Sequence, residues 1–152
     1  MYTAYVRPIL EYSSNVFNPY LKKDVKKLEK IQITATKLIH HRCFRGNEFS
    51  YSEILKKLNL KTLQERRLIS DLILYHKIIH NKIRINSRHK PIISLQRNRV
   101  KINTMACKSY ARFNSFFVRM SRIYSKLPPE LIINPSQFSF KNSLSKICLS
   151  NF

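Results

Sequence analysis

Residues 62–81 read TLQERRLISDLILYHKIIHN, and this stretch decides the fold. Apolar side chains stand at Leu63, Leu68, Ile69, Leu72, Ile73, Leu74, Tyr75, Ile78 and Ile79. At helical spacing they leave only a narrow strip for water, marked by Arg66, Ser70 and Lys77. Thr62 with Glu65 has the pattern of a capping box, which starts the helix. A helix that is apolar on nearly every side belongs at the centre of a bundle, so the expectation is an all-α fold built around it.

Upstream, 51–58 reads as a short helix opened by the Ser50/Glu53 capping box, with Phe49 and Ile54 placed as a hydrophobic staple. Before it, Asn18-Pro19 offers a helix start, and the next helix is expected to run to about His41. Its apolar stripe is Leu21, Val25, Leu28, Ala35 and Ile39, with Gln32 out of character in the middle. Lys22, Lys23, Lys26, Lys27, Lys30 and Lys37 fall on the other side. Helical spacing also appears at Tyr2, Tyr5, Val6, Ile9 and Leu10, where Pro8 marks a kink or a first turn.

Downstream the periodicity dissolves. From about 82 to 110 the chain is basic and broken by Pro91, which reads as an irregular loop with a short strand near Val100–Ile102 at most. Apolar spacing returns weakly over 113–124 and stops at Leu127-Pro128-Pro129. Asn134-Pro135 then opens a last helix expected to reach about Leu149. The expected organisation is a helical bundle over 1–81, a basic loop over 82–110 and a C-terminal helical segment over 111–152.

Composition narrows the function. A chain of 152 residues with 43% hydrophobic residues can fill one core. A single glycine argues against tight hairpins and phosphate-cradling loops, both of which need positive φ. The 29 Lys+Arg against 8 Asp+Glu give a net charge of +21, which attracts polyanions. Nucleic acid is the first partner to consider and an anionic membrane surface the second. A coding sequence rich in A and T would also yield many Lys, Asn, Ile and Tyr without any binding role. Cys43, Cys107 and Cys148 form no metal-type pair, and an odd count reads as reduced and intracellular. No run of about 18 apolar residues exists, so no membrane span is expected.

Several segments, in order, resemble the C-terminal part of non-LTR (LINE/jockey-like) retrotransposon reverse transcriptases. They are Val6-Arg7-Pro8-Ile9-Leu10-Glu11-Tyr12; Pro19 with Leu28-Glu29-Lys30-Ile31-Gln32; Leu58-x-Leu60-x-x-Leu63-x-x-Arg66-Arg67; and Asp71-Leu72 leading to Lys77-Ile78. Later, Asn114-Ser115-Phe116-Phe117-x-Arg119 and Leu127-Pro128 look like the family's ending. Tyr124-Ser125 stands where that family usually has Trp-Asn, and Phe17 stands near another usual Trp; this chain has none. The resemblance implies the thumb and post-thumb region, which packs beside the primer-template duplex. With Met1 inside what would be a continuing domain, it also implies a fragment or a decayed copy of an RNA-directed DNA polymerase.

The catalytic palm is absent from this reading. Two-metal polymerisation needs clustered carboxylates, and the only aspartates are Asp24 and Asp71, each without an acidic neighbour. The chain alone is therefore expected not to be an enzyme and to need no cofactor. Nucleic-acid binding is expected on the lysine face (22, 23, 26, 27, 30, 37), with Arg66 on the open strip and a second cluster at Arg97, Arg99, Lys101 and Lys108. Arg67 and Asp71, four apart on a buried helix, read as an internal ion pair. Tyr110, Arg112, Phe113, Phe116, Phe117 and Arg119 interleave base and aromatic; they either stack bases or pack a core. His76 and His80 have the spacing of a helical metal pair, but no further ligand is near in sequence, so they are expected to edge the core. The competing readings are a remnant without function and a helical interaction module whose apolar face met a separate or missing palm.

Overall fold

The helix over 62–81 forms as expected: it runs Leu63–Ile79, and Gln64 is its only exposed residue. The Thr62 hydroxyl accepts from the Glu65 amide at 3.2 Å, which caps its first turn. At the other end Asn81 takes φ 56, and the amides of Asn81 and Lys82 bond back to the carbonyls of Ile78 and Lys77. That double bond is a Schellman cap, with asparagine doing what glycine usually does. The same closure recurs at Asn59 (φ 49), where Asn59 and Leu60 bond back to Lys56 and Leu55. A chain with one glycine thus ends two of its helices on a non-glycine residue that tolerates the left-handed region well.

The computed structural model describes residues 2–44, 48–85, 92–96, 99–103 and 106–146. Its elements are a π-helical turn Tyr2–Val6 running into α1 (Arg7–Glu11), α2 (Lys22–Cys43), α3 (Tyr51–Lys57), α4 (Leu63–Ile79), β1 (Ile92–Gln96), β2 (Arg99–Asn103), α5 (Tyr110–Phe113), α6 (Phe116–Tyr124), α7 (Pro129–Ile133) and α8 (Gln137–Lys146). The fold is mostly helical, as the periodicity implies. The π-turn precedes Pro8, whose ring has no N–H to give and crowds the carbonyl four residues back, so the turn before it widens.

Three local expectations are corrected. The 82–110 stretch holds an antiparallel hairpin, with Ile93 opposite Ile102 and Leu95 opposite Val100. Two strands alone are marginal in water; here α7 packs against β2 and Ile102 is buried. The second helix starts at Lys22, after an extended Leu21, and not at Pro19. Ser50 precedes α3 without a side-chain cap, its hydroxyl facing that of Ser52 at 3.2 Å. The last helix is described to Lys146, and the expected continuation to Leu149 lies outside the described residues.

The chain divides into two units, Met1–Leu68 and Ile69–Phe152, a division inside α4 rather than at its end. Packing, not periodicity, sets it. In the first unit Leu63 and Arg67 are buried with Tyr2, Leu10, Ile54 and Leu55. In the second, Tyr75 meets Tyr124 edge-on at 5.1 Å, and its hydroxyl shares a hydrogen bond of 2.6 Å with Ser121. His76 stacks on Phe140 at 4.1 Å. Burial pushes the Tyr75 phenol up to about 12, against the Ser121 bond, and burial likewise raises Tyr124. Neither hydroxyl ionises in the ordinary range; both act as satisfied polar ends of core aromatics.

Candidate nucleic-acid interface

The candidate surface is one side of α2. Lys22, Lys23, Lys26, Lys27, Lys30 and Lys37 are all exposed. The residues that α2 buries completely or nearly so are Gln32, Thr36 and His40, one turn apart each. At about 100° per residue, Lys23, Lys26, Lys27, Lys30 and Lys37 lie roughly 80–180° round the helix from Thr36, so burying the seam turns these five outward, whereas Lys22 shares the angle of His40 and is open as the first residue of the helix. The seam is polar, which the apolar stripe read from the sequence did not anticipate, apart from Gln32. Asp24 lies 3.9 Å from Lys27 across one turn, an exposed pair that contributes little.

Gln32 is the hub that fixes the helix rotation. Its side-chain oxygen accepts from the Tyr2 hydroxyl at 2.7 Å and from Arg66 at 2.8 Å. Its amide nitrogen donates to the Tyr51 hydroxyl at 3.0 Å and to the Lys61 carbonyl at 3.1 Å. All four hydrogen-bonding sites of a fully buried amide are therefore used, which makes one rotation of α2 far better than any neighbouring one. Thr36 returns its hydroxyl to the carbonyls of Gln32 and Ile33, both at 2.9 Å. One turn before the hub, Glu29 accepts from the amides of Leu63 and Gln64 at 3.2 and 3.3 Å. A carboxylate at the start of α4 satisfies orphan donors and meets the positive end of the helix dipole. Tyr51 also donates to Glu29; burial first, then that carboxylate, push its phenol up.

Arg66 is a correction to the expected interface. Its side chain is only 9% exposed and pairs with Glu11, while it also donates to the Lys61 carbonyl at 2.7 Å. Its guanidinium is spent inside this network, sharing Glu11 with Arg7 and the Gln32 oxygen with Tyr2, so Arg66 holds the elements around α2 together and is not on the open strip. Arg67 is 6% exposed and donates to the carbonyls of Leu10 and Phe17 at 2.6 and 3.3 Å. Asp71, fully buried, accepts from Arg119 at 2.9 Å. Neither the two carbonyls nor Arg119 was named as a partner by the sequence reading of Arg67 and Asp71.

The other expected candidates separate. Arg97 lies outside the described residues, Arg99 and Lys101 are two apart on β2, and Lys108 is exposed. Of the basic-aromatic run, Phe116 packs edge-on to Tyr75 and Arg119 turns to Asp71, so these serve the core. Tyr110 remains 67% exposed, and Arg122 lies over the Phe113 ring at 3.6 Å. His76 shares a hydrogen bond of 2.7 Å with the Tyr124 hydroxyl, and His80 one of 2.9 Å with the Ile132 carbonyl. Among the described residues no cluster of three or more metal-ligating side chains occurs, and no helix is long and apolar enough to cross a membrane. Cys43 is exposed near the end of α2.

No family model matches the chain, and no solved structure matches it. Over 98 residues it is 32% identical to an uncharacterized protein of Caenorhabditis elegans, B0403.1. The matched stretch covers 64% of this chain and 46% of that protein, so the chain spans about half the length of this relative.

Proposed function

We propose that this chain is a nucleic-acid-binding helical module of reverse-transcriptase origin, corresponding to the thumb and post-thumb region without the palm. The observation that carries the reading is the lysine face: six exposed ammonium groups along α2, five of them on the side away from its buried seam. They are backed by a seam that locks the helix rotation. Lysine acts as a compact point charge, so such a row follows a phosphate backbone and reads base edges poorly. The ordered motifs from Val6 to Pro128 support the origin.

Binding should then be weakly sequence-dependent and driven by counterion release. On duplex, log K should fall by about 0.9 per neutralised phosphate per log unit of salt. The triple change Lys23→Gln, Lys26→Gln, Lys30→Gln should weaken binding similarly for all sequences and reduce that slope by about 2–3. Thermal unfolding should barely move, because no buried contact is lost. A triple variant with unaltered affinity and slope makes this face a solvated surface and leaves β2 with Lys108 as the better candidate.

The same reading holds that the purified chain extends no primer on any template with any divalent metal. Its two aspartates stand far apart in sequence, neither has an acidic neighbour, and Asp71 is buried against Arg119. Templated incorporation above a mock preparation would refute it.

A second reading, a helical protein-interaction module, has one observation in its favour. Tyr5 and Ile9, one turn apart, are 68% and 77% exposed. A partner surface, such as a separate palm, would take these two side chains out of water. An interaction module would keep its partner after the lysine change and lose it after Tyr5→Ser with Ile9→Ser.

A further inference from the structure

The loop between α1 and α2 carries three outward aromatics beside the start of the lysine row. Tyr12, Phe17 and Tyr20 are 82%, 65% and 43% exposed. Chain ends and loops with this much open ring are ordinarily loose, and a loose ring makes a poor binding surface because ordering it costs entropy. This loop is tied. The amides of Tyr12 and Ser14 bond back to Pro8 and Glu11, and those of Val16 and Phe17 both to the Ser13 carbonyl, at 2.8–3.2 Å. Ser13 takes φ 51 to make that turn, and Ser14 is buried beneath it. The buried Arg67 guanidinium holds Leu10 and Phe17 by their carbonyls and so clamps the first part of the loop, from the end of α1 to Phe17. Tyr12 and Phe17 are displayed on a frame that is already ordered, and Tyr20 follows three residues on.

Lys22 follows Phe17 by five residues, at most about 17 Å of extended chain. Fixed aromatics next to a row of point cations are the two parts that a single-strand site needs: a track for phosphates and platforms for unpaired bases. A duplex keeps its bases in the stack and offers these rings only its backbone. We propose that the interface prefers single-stranded nucleic acid, with phosphates along the lysine face and unstacked bases on Tyr12, Phe17 and Tyr20. The proposal rests on the lysine-face reading, because without that row nothing distinguishes these rings from a protein-docking patch.

The test uses the whole chain and three probes measured by fluorescence anisotropy: a short single-stranded oligonucleotide, an abasic strand of the same length, and the matching duplex. Stacking on aromatics is worth about 1–3 kcal/mol per base, so the normal strand should bind about tenfold or more tighter than the abasic one. It should also bind tighter than the duplex. Tyr12→Ala with Phe17→Ala should bring the normal strand down to the abasic level with the salt slope unchanged. The lysine triple variant should lower the slope for both strands. Circular dichroism checks that the helices persist; if Phe17→Ala disturbs them, Tyr12→Ala alone should remove part of the difference. Equal binding of normal and abasic strands, or a preference for duplex, overturns the proposal, and with the lysine slope effect intact it leaves the lysine-face reading standing. Loss of the slope effect as well overturns both.

Discussion

Arg119→Leu is expected to lower stability by about 3 kcal/mol or more, a large fraction of what holds a domain of this size together. Asp71 is fully buried, and its carboxylate takes a hydrogen bond of 2.9 Å from Arg119, whose side chain is only 16% exposed. Removing the guanidinium takes a charge-assisted hydrogen bond from a fully buried carboxylate, and desolvation of that charge is the dominant cost. Mutual attraction inside the pair only offsets that cost, so removing both charges should be far milder than removing one. The double change Arg119→Leu with Asp71→Leu is therefore expected to recover most of the loss in urea midpoint. A single variant whose midpoint stays at the wild-type value would show that the carboxylate does not depend on Arg119.

Acid should destabilise the second unit through His76. Burial first, then the charges of His80 and Lys82, lower its pKa from 6.5 to about 4, while the Pro135 backbone pulls the other way. The ring is fully buried, stacked on Phe140 and bonded to the Tyr124 hydroxyl, so the folded chain holds it neutral. The unfolded chain takes up the proton near pH 6.5 and the folded chain only near 4, so stability is full above 6.5 and falls as pH drops. Linkage gives a loss of about 2 kcal/mol by pH 5 and about 3 by pH 4. His76→Leu should flatten the profile between those limits even though its stability at neutral pH is lower. Parallel profiles for the two proteins would remove His76 as the cause.

These two effects sit in the part of the molecule that the sequence describes least. Asp71 and Arg119 lie 48 residues apart, as do His76 and Tyr124. An i,i+4 reading of Arg67 and Asp71 looks only along one helix, whereas each residue takes a partner from another element. Even so, one signal was present in the chain: Gln32 stands alone among apolar neighbours, and an amide in such a place must find its bonds in tertiary structure.

The sequence by itself determined what depends on neighbours within a turn or two. The extent of α4, the short α3 and the outward lysine face all follow from local signals along the backbone. Hydrophobic period and terminal residues are local properties, and α4 needs no distant contact to be recognised as a buried helix. Tertiary structure alone decided where each polar side chain goes. Glu11 reaches Arg66 across 55 residues, Glu29 caps a helix 34 residues away, and Gln32 joins four partners from four segments. It also paired Ile92–Gln96 with Arg99–Asn103 and buried Ile102, where the local pattern shows no clear period. A hydrogen bond is short and directional, so its partner is set by the path of the whole chain. Apolar burial is neither, so its pattern survives in the one-dimensional sequence.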